Sequence, residues 1–168
     1  MITSLVMTVL GADRPGLVRS LSDVVATHDG NWLESRMARL AGQFAGIVRV
    51  ECPTESAQNL IEHLHALATV GLTVQAVREK SSDPAPRKTL SVTVVGNDRP
   101  GIVRDLSTAI ATAGANVEDL ITGLESAPMS GHPLFRAQGI ISIPESADPA
   151  TLISAIENLG TDLSVDIN

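Results

Sequence analysis

The sequence predicts an α+β protein built from two similar units, each with the element order β-α-β-β-α-β. The motif Gly11-Ala12-Asp13-Arg14-Pro15-Gly16 returns 85 positions later as Gly96-Asn97-Asp98-Arg99-Pro100-Gly101, and 15 of the 27 positions from 5–31 are identical in 90–116. Apolar residues alternate at period two before each motif and recur at helical spacing after it. The 168 residues therefore form a tandem repeat of two small domains.

Four strands are predicted in the first unit from alternating apolar residues. They cover 3–10, which Gly11 ends, then 32–41 and 43–52, and finally a strand from Leu72. The middle two form a hairpin around a tight turn at Ala41-Gly42-Gln43. Residues expected to share one face of their strand are Leu5, Met7 and Val9, then Phe44, Gly46, Val48 and Val50, and then Leu72, Val74 and Ala76.

Two amphipathic helices separate these strands. Asp13 is predicted to be the N-cap of the first helix, its carboxylate accepting from the Gly16 backbone N–H, with Pro15 in the first turn. This helix runs to about Thr27, and the second, opened by Pro53-Thr54-Glu55, is closed by Gly71. Their buried stripes are predicted as Leu17, Val18, Leu21, Val24 and Val25, and as Leu60, Ile61, Leu64, Leu67 and Ala68.

This element order is the ferredoxin-like plan, an antiparallel four-stranded sheet with both helices on one face. We expect domain 1 at 1–78, a semi-rigid linker at 79–87 that contains two prolines, and domain 2 at 88–168. The second unit repeats the plan with strand residues Leu90, Val92 and Val94, helix residues Ile102, Val103, Leu106 and Ile110, helix residues Leu152, Ile153, Ile156 and Leu159, and strand residues Leu163, Val165 and Ile167.

One long loop distinguishes the second unit from the first. Between its second and third strands it inserts Ser126-Ala127-Pro128-Met129-Ser130-Gly131-His132-Pro133, where the first unit has about three residues. Two interpretations stay open for 126–133: a tolerated surface insertion, or a lid over a ligand or partner contact.

Composition excludes several classes of function. The net charge is −7, with no cluster of Lys or Arg longer than a pair, so no basic face is available for direct nucleic-acid binding. The apolar runs are far shorter than the roughly 20 residues that cross a bilayer, and no secretory signal begins the chain. We therefore expect a cytoplasmic protein that contacts neither nucleic acid nor membrane.

No catalytic constellation is visible. No Ser, Cys or Thr is paired with a His and an Asp in a recognisable pattern, and the phosphate-binding glycine motifs are missing. His63 and His65 point to different faces of a helix, which argues against a metal site, and Cys52 is expected to be an inert thiol. The sequence therefore predicts no enzyme, no cofactor and no metal.

The repeated motif is the remaining candidate for chemistry. A glycine-bearing turn that opens a helix presents free N–H groups to a carboxylate, and Asp13 or Asp98 could pair with an ammonium group. These features suit a zwitterion such as an amino acid, although capping and packing would also account for every residue of the motif. Asn31 and Asn116 are included because we expect the chain to return toward the motif at these positions, and an amide can both donate and accept. The candidate ligand-binding residues are Gly11, Ala12, Asp13, Arg14, Pro15, Gly16 and Asn31, with Gly96, Asn97, Asp98, Arg99, Pro100, Gly101 and Asn116.

The chain resembles two ACT domains in tandem, over 3–77 and 88–167. The resemblance lies in the succession of a strand, the motif Gly-x-Asp-Arg-Pro-Gly-Leu/Ile-Val, a helix, and an Asn at the next strand. The loop from Ala127 to Phe135 is similar to that of the glycine cleavage system transcriptional repressor group. The resemblance implies a regulatory module that binds an amino acid where domains associate, through the loop and the Asn. Serine-binding members carry His and Asn where this sequence has Gly11 and Asp13, so the ligand's identity stays open.

The function expected from these observations is non-catalytic regulation. The protein would sense a small amino acid, with glycine or serine as candidates, and modulate transcription or metabolism through a regulatory protein partner. The alternatives are an assembly module without ligand binding and a regulatory subunit of an amino-acid-metabolism enzyme. Because the predicted sheets leave edges to cover, we also expect a homo-oligomer, in the simplest case a dimer, and Trp32 is equally suited to a contact or to the core.

Overall fold

The computed structural model of the chain describes residues 1–82, 84–129 and 131–168. The chain divides into two units, Met1–Ser82 and Asp83–Asn168. In the described residues each unit has one four-stranded sheet whose strands all pair antiparallel. The predicted α+β class, with two β-α-β-β-α-β units, is confirmed.

The first unit has the elements β1 Ile2–Ala12, α1 Leu17–Thr27, β2 Asn31–Leu40, β3 Gln43–Pro53, α2 Ala57–Ala66 with a 3₁₀ turn Leu67–Val70, and β4 Leu72–Arg78. Its strand order is β2-β3-β1-β4. Ala41 and Gly42 have φ of 49° and 80°, so the predicted hairpin closes through a two-residue turn with both residues left-handed. Strand β1 does not end at Gly11 as predicted, because Gly11 still pairs with Phe44 and Leu72.

The first core lies between this sheet and its helices. The predicted strand residues Leu5, Met7 and Val9 are buried, and Trp32 packs against the same cluster. The predicted stripe of α1 is wrong at Val18, which is 46% exposed. Val18 follows the buried Leu17, and one residue turns the helix by about 100°, away from the sheet.

The second unit repeats the first with the elements β5 Arg87–Asn97, α3 Ile102–Thr112, β6 Asn116–Ser126, β7 Pro133–Pro144, α4 Pro149–Glu157 and β8 Ser164–Ile167. Its strand order is β6-β7-β5-β8. Helix α3 repeats the exception of α1, because Val103 is 43% exposed where the sequence predicted burial. Each unit has a register shift near the start of its edge strand, after Trp32 in β2 and after Val117 in β6.

Two connections of the predicted plan include residues that the structure leaves out. Asp83 of the predicted linker 79–87 and Ser130 of the predicted loop 126–133 lie outside the described residues. At the base of that loop the Ala127 N–H donates to the His132 carbonyl at 3.3 Å.

Candidate functional site

The repeated motif forms the same backbone turn in both units. Gly16 has φ 90° and ψ 3°, and Gly101 has φ 84° and ψ 2°. The Ile102 N–H donates to the Arg99 carbonyl at 3.3 Å across Pro100 and Gly101. Proline followed by a left-handed residue is the arrangement of a type II turn, and it explains why glycine stands in the second position.

The predicted N-cap is wrong. Helices α1 and α3 begin at Leu17 and Ile102, their N-cap residues are Gly16 and Gly101, and neither has a side-chain cap. The type II turn lies between Asp13 and the helix, and among the described residues the Asp13 carboxylate accepts no hydrogen bond from a first-turn amide. Pro15 likewise belongs to the turn that precedes the helix.

Helix α3 therefore begins with uncapped amides. The Asp105 N–H donates to the Gly101 carbonyl at 3.0 Å. The N–H groups of Val103 and Arg104 meet no acceptor among the residues that the structure describes. Free amides at a helix N-terminus, with the positive end of its dipole, favour a carboxylate.

In the first unit the motif's charged groups already have partners within the unit. Arg39 Nη1 lies 3.4 Å from Asp13 Oδ2. The Asp13 N–H donates to the Gly42 carbonyl at 2.9 Å, and Arg14 Nη2 donates to the Val70 carbonyl. The carboxylate of this copy is thus neutralised by a residue of strand β2.

In the second unit, backbone N–H groups of the motif make hydrogen bonds, whereas the carboxylate of the motif, on Asp98, does not. The Asp98 N–H donates to the Pro133 carbonyl at 3.2 Å, and the Asn97 N–H donates to Asp162 Oδ2 at 2.9 Å. Within the described part of the chain, the Asp98 carboxylate has no hydrogen bond or ion pair. The two copies of the motif therefore differ in whether their aspartate carboxylate has a partner: Asp13 is paired with Arg39, and Asp98 is unpaired among the described residues.

Two arginines beside Asp98 share one carboxylate. Arg99 Nη1 lies 2.8 Å from Asp105 Oδ2, and Arg104 Nη2 lies 3.2 Å from Asp105 Oδ1. Hydrogen bonds from Arg99 first, and then from Arg104, hold the pKa of the Asp105 carboxyl below its ordinary value. The three groups together carry a single positive charge, which complements the single negative charge of Asp98.

Asp98, Arg99 and Arg104 line an open cavity of about 330 Å³. It lies between the start of α3 and the second half of edge strand β6, with Phe135 of β7 contributing to the wall. Its lining combines the charged groups and the N-terminus of α3 with apolar side chains from α3, β6 and β7. The lining residues are Asp98, Arg99, Gly101, Ile102, Val103, Arg104, Thr122, Gly123, Leu124 and Phe135.

Asn31 and Asn116 do not lie beside the motif of their own unit. Gly11 pairs with Phe44 of β3, whereas Asn31 pairs with Glu51, seven residues further along that strand. Seven residues of strand span about 23 Å, and the second unit has the same spacing for Asn116. The Asn31 side chain donates instead to Glu51 Oε1 at 3.3 Å. A small amino acid cannot touch both the loop and the Asn of one unit.

The structure also brings together two histidines that the sequence did not pair. His63 Nδ1 lies 2.7 Å from His28 Nε2, and His28 Nδ1 lies 2.9 Å from the Val24 carbonyl. They are 35 residues apart on different elements, so no spacing rule indicates the contact. Among the described residues, no group of three or more His, Cys, Asp or Glu side chains could hold a metal ion. Cys52 is buried, and this burial raises the pKa of its thiol.

Comparisons with known proteins agree with this architecture. A family model described as the ACT domain matches residues 3–76 and 88–123. The glycine cleavage system transcriptional repressor of Escherichia coli (strain K12) is 28% identical over 163 residues, which cover 95% of this chain and 85% of that protein.

Two solved structures span all of this chain. The structure of an unknown protein from Galdieria sulphuraria has a TM-score of 0.81 at 29% identity, covering 100% of this chain and 98% of that one. A proposed glycine cleavage system transcriptional repressor has a TM-score of 0.71 at 18% identity, covering 100% of this chain and 97% of that one, and this likeness supports the fold alone. None of the helices described here has the length and apolar character needed to span a membrane.

Proposed function

Because this chain belongs to the ACT domain family, we propose that it is a regulatory protein that senses an amino acid and transmits the signal to a protein partner. The proposed site is at residues Gly96 to Gly101, here called the Asp98 loop. The observation that carries the proposal is the cavity of the second unit, which combines an unpaired carboxylate, free helix amides and two arginines. No catalytic step is part of the proposal.

The arrangement matches the charges of an amino acid. The Asp98 carboxylate would accept from the α-ammonium group of the ligand, as a charge-assisted hydrogen bond. The ligand's α-carboxylate would meet the Val103 and Arg104 amides at the start of α3, near the Arg99 guanidinium. The site's net charge, which is close to zero, favours a zwitterion over an ion of either sign.

The two copies of the motif would have different roles. Asp13 is already paired with Arg39, so an ammonium group would have to displace a cation there. We therefore assign the effector to the motif Gly96 to Gly101 and a structural role to Gly11 to Gly16. Asn31 and Asn116, about 23 Å along the strands from their own motifs, would contact such an effector only from another ACT domain.

The way in which the protein acts on its target is inferred from the name of the E. coli relative and from the net charge of this chain. The E. coli relative is named as a transcriptional repressor of the glycine cleavage system. The net charge of −7 disfavours direct DNA contact, so we propose that transcription or metabolism is modulated through a protein partner in the cytoplasm. Self-association, in the simplest case as a dimer, stays part of this proposal.

Isothermal titration of the full chain with the common amino acids tests the sensing role. We expect one binding site per chain, weakened about tenfold or more in Asp98→Asn, because a hydrogen bond to a charged group contributes about 1.5–3 kcal/mol. Asp13→Asn is the matched control in the first unit and should leave the affinity unchanged.

The proposal fails if no amino acid gives heat or raises the melting temperature, because a ligand of the folded state must stabilise it. That result would leave an assembly module without ligand binding. Equal weakening by Asp13→Asn and Asp98→Asn would contradict the assignment to the second unit.

A further inference from the structure

Part of the cavity beside Asp98 is lined by apolar side chains, here called the apolar wall. Binding of a ligand's ammonium and carboxylate groups does not require this wall. Leu124 is 62% exposed and Val103 is 43% exposed, and both line this cavity together with Ile102 and Phe135. Large apolar side chains that remain exposed around a concave site are typical of a surface that a ligand or partner covers.

The first unit shows how this wall arises. Arg39 pairs with Phe44 in the β2–β3 register, and Leu124 pairs with Phe135 in the β6–β7 register, so Leu124 occupies the position of Arg39. Where Arg39 neutralises Asp13, the second unit therefore has an aliphatic side chain beside an unpaired Asp98.

A second replacement on the same face of the edge strand enlarges the space. Met37 pairs with Gly46, and Thr122 pairs with Ala137, two register pairs inward from the positions of Arg39 and Leu124 and so on the same face of the strand. Met37 packs against the first core, whereas the shorter Thr122 lines the cavity. In the second unit an aliphatic side chain, Leu124, therefore stands in place of the cation Arg39. The shorter Thr122 stands in place of the core residue Met37 and leaves more space beside the motif.

From this wall we infer that the effector is an α-amino acid with an apolar side chain, such as valine, leucine or phenylalanine. The inference rests on the proposed function, because it concerns the same site. Asp98 and the α3 amides would hold the groups common to all amino acids, while Leu124, Val103 and Phe135 would contact the side chain. Glycine or serine would leave most of this wall in water, and a charged side chain would lie against it without a partner.

Titration of the full chain with leucine, valine, phenylalanine, glycine, serine and glutamate tests the inference. We expect the apolar amino acids to bind at least tenfold more tightly than glycine or serine, because each buried methylene group adds several-fold in affinity. Leu124→Ser should weaken leucine binding about tenfold or more while leaving the affinity for glycine unchanged.

Ile121→Ser is the matched control. Ile121 is 68% exposed on the same strand, and its odd spacing from Leu124 puts it on the opposite face of β6. This variant should retain wild-type selectivity, and both substitutions should leave the melting temperature of the free protein nearly unchanged.

The two proposals fail in different ways. Binding of glycine or serine as tight as that of leucine, or equal weakening of leucine and glycine by Leu124→Ser, would overturn the apolar preference while leaving amino-acid sensing intact. Absence of binding by every amino acid would overturn both.

Discussion

Replacing Gly139 by Ala should destabilise the second unit, because the backbone of the neighbouring strand β6 lies against this position. A Cβ atom built at Gly139 lies 2.3 Å from the Asp119 carbonyl oxygen and 3.5 Å from the Leu120 Cα atom. Both are backbone atoms of β6, so no side-chain rotation relieves the contact. The strand itself must move away from β7, next to the register shift that follows Val117.

The expected loss in free energy of unfolding is about 1–3 kcal/mol, the usual cost of forcing a methyl group into a packed site. The reduced freedom of alanine in the unfolded chain offsets about 0.4–1 kcal/mol of the gross penalty. For a domain of this size the melting temperature should fall by roughly 4–8 °C per kcal/mol.

Gly123→Ala in the neighbouring strand is the matched control. A Cβ atom there meets nothing within 4 Å, and its φ is not among the left-handed values, so this variant should be neutral or stabilised by up to about 1 kcal/mol. Urea denaturation gives the free energies, and amide hydrogen exchange along β7 locates the loss. If Gly139→Ala unfolds at the same urea concentration as the wild type, or Gly123→Ala loses as much as it does, the steric reasoning is refuted.

Two further predictions concern polar contacts of the second unit. Arg87 Nε donates to Ser142 Oγ at 3.0 Å, and Ser142 is 1% exposed, so Arg87→Ala should cost about 1–3 kcal/mol of unfolding free energy in urea melts. Lys88→Ala, at the neighbouring half-buried residue whose Nζ makes only a long hydrogen bond of 3.4 Å to the Glu145 carbonyl, should stay within about 0.5 kcal/mol, and an equal loss would contradict the role of Arg87. Because Arg99 lowers the pKa of the Asp105 carboxyl, Asp105 should stabilise the fold above about pH 4 and lose that contribution as the pH falls through its lowered folded value. The fall in melting temperature with acid should be shallower in Asp105→Asn, and an unchanged slope would argue against the ion pair.

The fold was predictable because its signals are local. Alternation in β1 and β4, the helical stripe of α1 and the repeat itself are visible in neighbouring residues, and the Ala41-Gly42 turn is marked by its glycine. Which residues at the margin of the helical stripe are buried was not predictable. Whether Val18 faces the sheet depends on how the helix is rotated about its own axis. Sequence spacing alone leaves that rotation undetermined.

The candidate site was predictable as a turn but not as a geometry. Because Gly16 is left-handed, the helix begins only at Leu17, after the turn that follows Asp13. A glycine permits this backbone conformation but does not require it. Asn31 could have been placed correctly, because a helix of 11 residues carries the chain about 16 Å from the motif before β2 begins. The replacement of Arg39 by Leu124 was visible in the repeat, but its meaning depends on the strand register that brings Arg39 to Asp13.

The most direct test of the account is a titration of the ¹⁵N-labelled full chain with leucine, followed by amide chemical shifts. We predict saturable shifts at Gly101, Val103 and Arg104, with the corresponding Gly16, Val18 and Arg19 unaffected, and loss of the response in Asp98→Asn. Shifts confined to the first unit, or no shifts at saturating leucine and glycine, would contradict the assignment of an amino-acid site to the Asp98 loop.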